Sequence, residues 1–312
     1  MSGEASTNET GSNEKTPRTL EEQYNNPDII GDDKNKVEII DLIPPQLKSD
    51  VPIILVPGWS ATAHVLKENV LTLARLGRRV IVASAPHGVE TNPQEIYPDA
   101  EMRKTEALMQ ALDYKGIKQA DAICHSEASL FMTMGAMIHR DRFRNLVLVS
   151  PTGLIGPDTF PRLATDFSKD IAGQTLKALF NDHSRIAKMW KAYTEFGKSI
   201  VAGPILTIQE MNAIVTFRIE EILRELKSRG HGISIIHTAH DKAFPMDRMQ
   251  KIVDKTMVDG FVSVGGSHNE LYLKPQAMSR WIDHLLDAMG NKSRGPETNL
   301  EKPELTTSEQ VR

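Results

Sequence analysis

Ser126 lies in the run Ala-Asp-Ala-Ile-Cys-His-Ser-Glu-Ala-Ser-Leu, residues 120–130. A short apolar run leads into it and an apolar helical pattern follows. A serine held on a sharp strand-to-helix turn has its hydroxyl pushed out above the sheet. Such a bend needs small neighbours, and Cys124 and Ala128 stand two positions to either side. A serine hydroxyl is a poor nucleophile near neutral pH, so it needs a base within hydrogen-bond reach and a third group to hold that base. His268 is the candidate base, in the glycine-rich run Val264-Gly-Gly-Ser-His268. Asp241 is the candidate orienting acid, and Pro245, four residues on, suits a rigid turn that aims its carboxylate. Asp247 competes for that role, and the proline spacing favours Asp241. A tetrahedral oxyanion needs two preorganised backbone N–H donors. Glu127, directly after the serine, is expected to give one. Trp59, in Pro57-Gly58-Trp59-Ser60, is expected to give the other, with Ser60 the alternative.

The elements that would position these groups are strands alternating with helices, which predicts an α/β protein: a mostly parallel sheet with helices on both faces. Expected strands are 37–43 (an edge strand), 51–56, 79–85, 120–125, 146–150, 232–237 and 260–264. Expected helices are 63–76, 102–112, 126–139, 207–229 and 275–289, each carrying apolar residues at helical spacing. Pro86-His87-Gly88 is read as a break. The chain is expected to divide into a disordered polar tail over 1–35, the first part of the core over 36–153, a helical insertion over the strand ends with its return helix over 154–230, the rest of the core over 231–290, and a second disordered tail over 291–312.

Composition narrows the function class. The chain has 312 residues, 40% hydrophobic and 25% charged, with a formal charge of −4. Nothing in that balance favours nucleic acid, whose phosphates need a positive surface patch. One cysteine excludes an intramolecular disulfide and fits a reducing compartment. No signal-peptide core and no membrane-length apolar run is present, so a cytoplasmic protein is expected. No dinucleotide or P-loop motif appears, and no cofactor or metal is expected. His237 and His240, three apart at a strand end, would point to opposite faces and do not make a metal site. Cys124 reads as a buried small residue, and His125 as part of the strand end. Trp190, Phe180 and the methionines of the insertion read most simply as core, some of them available to line an acyl pocket.

With these parts on one chain, residues 50–290 resemble the α/β-hydrolase superfamily. The resemblance rests on the Pro57-Gly58-Trp59 loop, the elbow at Ser126, Asp241 with Pro245, and the Gly265-Gly266-Ser267-His268 loop. It implies the chain order nucleophile, acid, histidine, with Ser126 as nucleophile, His268 as base and Asp241 as its orienting acid. Two departures stand out: Pro57 replaces the usual histidine, and Cys124 and Ala128 replace the usual glycines. The implied activity is cofactor-independent hydrolysis of a carboxylic ester or related acyl compound, the partner being a small, apolar or weakly polar acyl substrate. A thioesterase, an acyltransferase, a carbon–carbon bond hydrolase or a cofactor-free haloperoxidase would share the same triad. A hydrolase-fold protein used only for binding is the reading from a different class.

Overall fold

Among the described residues eight strands form one sheet in the order β1-β2-β4-β3-β5-β6-β7-β8. The structure is a computed structural model that describes residues 18–31, 36–83, 99–181 and 203–292, with Trp190, Thr194, Gly197, Lys198 and Val201 between the last two stretches. The strands are β1 (Asp28–Ile30), β2 (Val37–Leu42), β3 (Ile53–Val56), β4 (Val80–Ala83), β5 (Ala120–His125), β6 (Phe143–Val149), β7 (Gly232–Thr238) and β8 (Gly260–Val264). From β4 to β8 every pairing is parallel, whereas β1 and β2 pair antiparallel. Central strands such as β3 (Ile-Ile-Leu-Val) are apolar throughout and buried throughout, because helices cover both faces of a parallel sheet.

The helices are α1 (Leu20–Tyr24), α2 (Lys67–Arg75, preceded by a 3-10 turn at Ala63–Leu66), α3 (Asp99–Tyr114), α4 (Ala128–Ile138), α5 (Phe160–Asn181), α6 (Pro204–Thr216), α7 (Glu220–Ser228), α8 (Met246–Met249), α9 (Glu270–Leu273) and α10 (Pro275–Lys292). Leu66, Val70, Leu73, Ile282 and Leu286 pack α2 and α10 against one face of the sheet. Leu108, Leu112, Leu130, Phe131, Leu223 and Leu226 pack α3, α4 and α7 against the other. All parallel strands therefore end on the same edge, and the loops leaving β3, β5, β7 and β8 converge there. Ligands of open α/β sheets bind outside the carboxyl ends of the strands.

Several sequence expectations change. Part of the segment assigned to a disordered tail folds: α1 and β1 fall within residues 18–31. A capping box between Thr19 and Glu22 starts α1, Tyr24 is buried, and β1 adds to β2. So β1, not the 37–43 strand, is the edge. The helix expected over 207–229 is two helices. Phe217 adopts an extended conformation, and the Ile219 N–H donates to the Gly153 carbonyl at 3.2 Å. The apolar stripe runs on across the break because both helices face the core, so its period does not register the interruption. Trp190 is 74% exposed and is not core. The Pro86-His87-Gly88 break, the side chain of Phe180, and residues 1–17 and 293–312 lie outside the described residues.

Candidate active site

At the end of β5 the chain reverses at Ser126, whose φ is +54°. This is left-handed backbone that an L-residue adopts at a cost of roughly 1–2 kcal/mol. The turn is pinned on both sides. Ser126 donates its N–H to the Val149 carbonyl at 2.9 Å, and its own carbonyl accepts from the Ser129 N–H at 3.1 Å and from the Ser129 hydroxyl. Glu127 then opens α4. Gly58, in the loop after β3, lies against this turn. A Cβ there would come within 2.9 Å of His125 Nδ1 and 3.0 Å of Ser126 Cβ, so only glycine lets the two loops approach this closely.

The structure brings three of the sequence-selected side chains together. His268 Nε2 lies 2.9 Å from Ser126 Oγ, and His268 Nδ1 lies 2.8 Å from Asp241 Oδ2. All three residues are buried. Asp241 Oδ1 accepts the Phe244 N–H at 2.9 Å, which fixes the carboxylate in the turn before Pro245. Asp247 lies on α8 and no contact joins it to His268. The His268 loop folds tightly at Gly266, whose φ is +143°; a Cβ there would sit 2.0 Å from Glu270 Cγ. Burial pushes the Asp241 carboxyl up, but His268, His237 and the Phe244 N–H outweigh it and hold the group below the usual carboxylate range. Burial likewise opposes charge on His268. The carboxylates of Asp241 and Asp170 overcome that, and its pKa lies above the ordinary histidine value.

Three features of the site have no local sequence signature. Asp170, buried on α5, accepts the backbone N–H of His268 through Oδ2 at 3.2 Å. A directed chain backs the site: the Gly58 N–H donates to Tyr272 Oη at 3.1 Å, Tyr272 donates to His125 Nδ1 at 2.8 Å, and His125 Nε2 donates to the His268 carbonyl at 3.2 Å. The chain fixes the His125 tautomer. Burial and the nearby His268 lower its pKa to about 3, so it stays neutral. Third, Lys104 on α3 lies 2.8 Å from Glu127 and 2.6 Å from Glu210, beneath the elbow. Chain separation hides all three, since the partners are tens of residues apart in sequence.

A cavity of about 70 Å³ opens onto Ser126 and His268. Leu163 and Phe167 of α5, Met211 and Ile214 of α6, and Phe244 give it an apolar wall, and no Lys, Arg, Asp or Glu is among the described residues that line it. Trp59 borders it from the β3 loop. Cys124 is fully buried and burial pushes its thiol pKa up, which leaves it protonated beneath the turn. His237 is buried and His240 is exposed; His237 Nε2 donates to the Phe244 carbonyl at 2.8 Å. Among the described residues no group of three or more His, Cys, Asp or Glu side chains is arranged to hold a metal, and no helix is long and apolar enough to cross a membrane.

No protein-family model matches the sequence, and no curated protein matches it. Solved structures do. A carboxylesterase of the ammonia-oxidising thaumarchaeon Nitrososphaera gargenis superposes with a TM-score of 0.63 at 15% identity, over 85% of this chain and 100% of its own. A bromoperoxidase from Bacillus anthracis gives 0.62 at 16% identity, over 84% and 100%. A meta-cleavage product hydrolase from Pseudomonas fluorescens IP01 gives 0.59 at 14% identity, over 81% and 95%.

Proposed function

Starting from a chain that has the α/β-hydrolase fold, we propose that it is a serine hydrolase acting on a carboxylic ester or a related acyl compound. The observation that carries this reading is the hydrogen-bonded series Ser126–His268–Asp241 at the mouth of an apolar cavity. Ser126 Oγ attacks the carbonyl carbon while its proton passes to His268 Nε2. Asp241 holds Nδ1–H, which fixes the tautomer and stabilises the imidazolium without itself taking the proton. The Trp59 and Glu127 amides receive the oxyanion, the electrostatic stabilisation on which acyl transfer depends most. The Gly58 amide is committed to Tyr272, which supports the choice of the next residue in that loop. As the carbon–oxygen bond breaks, Nε2–H protonates the leaving alcohol. Water then gives a proton to Nε2 and adds to the acyl carbon. Collapse frees the acid and returns the proton to Ser126.

Residues 154–230 are read as a cap that sets substrate choice, since α5 and α6 wall the cavity. The apolar lining favours an apolar or weakly polar acyl chain over an ionic one. Cys124 as the single cysteine favours a cytoplasmic location. The test is turnover of a p-nitrophenyl ester series of graded chain length by the wild-type protein and by Ser126→Ala. Hydrolysis at one or more chain lengths, lost in the variant, supports the reading; equal rates in both overturn it. Ligand binding without turnover of any acyl substrate would favour the pure binding role.

A further inference from the structure

Beneath the elbow four ionisable side chains are sealed from solvent: Lys104 and Glu101 on α3, Glu127 at the start of α4, and Glu210 on α6. Lys104 Nζ lies 2.6 Å from Glu210 Oε1, 2.8 Å from Glu127 Oε1 and 3.8 Å from Glu101 Oε1, and 5.5 Å above the Phe131 ring. Glu210 has a second bond: its Oε2 accepts the Trp59 indole N–H at 2.8 Å. Burying an ion is costly unless it is paired, so a lysine with three carboxyl groups is an expensive arrangement for stability alone. Its two arms end on Glu127 and Trp59, the residues whose backbone amides are read above as the oxyanion hole. We propose that Lys104 and Glu210 are positioning residues for that hole, holding the Glu127 and Trp59 backbones in register and linking both to helix α6.

The inference rests on the hydrolase reading. A carboxylate on the residue that donates an N–H to an oxyanion would repel the charge developing there. Lys104 answers that charge directly. Burial, with Glu101 next, raises the Glu127 carboxyl pKa well above its usual range, and burial raises that of Glu101 to about 7, so burial disfavours negative charge at both groups. On the other side, the Glu210 bond fixes the Trp59 indole and with it the loop that begins at Gly58. Misplacing a donor by a fraction of an ångström costs rate without weakening substrate binding in proportion.

Trp59→Phe and Glu210→Met each remove one end of the Glu210–indole bond. Both should fold, since Lys104 keeps all three carboxyl partners in Trp59→Phe and two of them in Glu210→Met. Each should lower kcat for p-nitrophenyl ester hydrolysis by about ten- to a hundred-fold, with KM little changed. The double variant should be no slower than the slower single variant. Glu210→Gln, which keeps an acceptor for the indole, should regain most of the rate. Lys104→Gln should also lower kcat; if it does not fold, the Trp59 and Glu210 variants decide. Amide hydrogen exchange over residues 57–61 supplies a readout that needs no activity, and it should speed up in Trp59→Phe and Glu210→Met. Unchanged exchange overturns the proposal, and so does faster exchange with unchanged kcat in an enzyme whose wild type is active. A wild type that hydrolyses no ester sinks the hydrolase reading instead, and exchange alone then decides whether the cluster holds these loops.

Discussion

Replacing Ser126 with glycine and with alanine isolates the geometry of the elbow from its chemistry. Both variants delete the hydroxyl and its bond to His268 Nε2. They differ by one Cβ at a position whose φ is +54°. Left-handed backbone costs an L-residue roughly 1–2 kcal/mol that glycine does not incur. Against this, glycine loses about 0.4–1 kcal/mol more than alanine through the larger freedom of its unfolded chain. At mid-range the balance favours Ser126→Gly by about 0.8 kcal/mol. In a protein of this size each kcal/mol moves Tm by about 2–4 °C, so the glycine variant should melt about 2–3 °C above the alanine variant. At an ordinary helix or strand position the same comparison runs the other way, by roughly 0.5–1 kcal/mol. The sign is therefore diagnostic. Parallel urea unfolding and thermal melts by circular dichroism would measure it, and an alanine variant more stable than the glycine variant would refute the turn geometry.

Asp170→Asn removes one of the carboxylates that raise the His268 pKa. His268 must be neutral to accept the Ser126 proton, so the acid limb of kcat/KM should lie above the usual histidine value and move to lower pH in the variant. A pH–rate profile checks this, and an unmoved limb would remove Asp170 from the electrostatics of the site. Asp241→Asn should lower kcat by about 10⁴ by stabilising the wrong tautomer of His268; a loss of only a few-fold would mean another group orients the base. Tyr272→Phe leaves the Gly58 N–H and His125 Nδ1 without their shared partner and should cost about 1–3 kcal/mol in urea unfolding. An unchanged midpoint would show that the chain of bonds contributes little.

Much of the site was legible because its parts announce themselves locally. Ser126 has its apolar strand and small neighbours. Asp241 has Pro245. His268 has paired glycines, one of which is needed at a φ of +143°. What stayed hidden is what the fold alone brings near. Asp170 meets His268 across ninety-eight positions, Tyr272 meets His125 across one hundred and forty-seven, and Lys104 meets the carboxylates of Glu127 and Glu210 from two other helices. No period or spacing encodes such pairs. The parallel strands were readable from their continuous apolar runs. The segment around α1 was not, because a few polar residues with one buried tyrosine look like a tail until β2 offers them an edge. Likewise the single helix expected over 207–229 missed Phe217, whose apolar side chain keeps the pattern while its backbone ends α6.

The central claim is that Ser126 is an activated nucleophile. Treating the folded wild-type protein with a fluorophosphonate probe, digesting it and mapping the modified peptide by mass spectrometry tests that directly, with Ser126→Ala as the control. Phosphonylation on Ser126, absent in the variant, is the predicted result. No labelling of the folded wild type, or label on another residue that persists in Ser126→Ala, would contradict it.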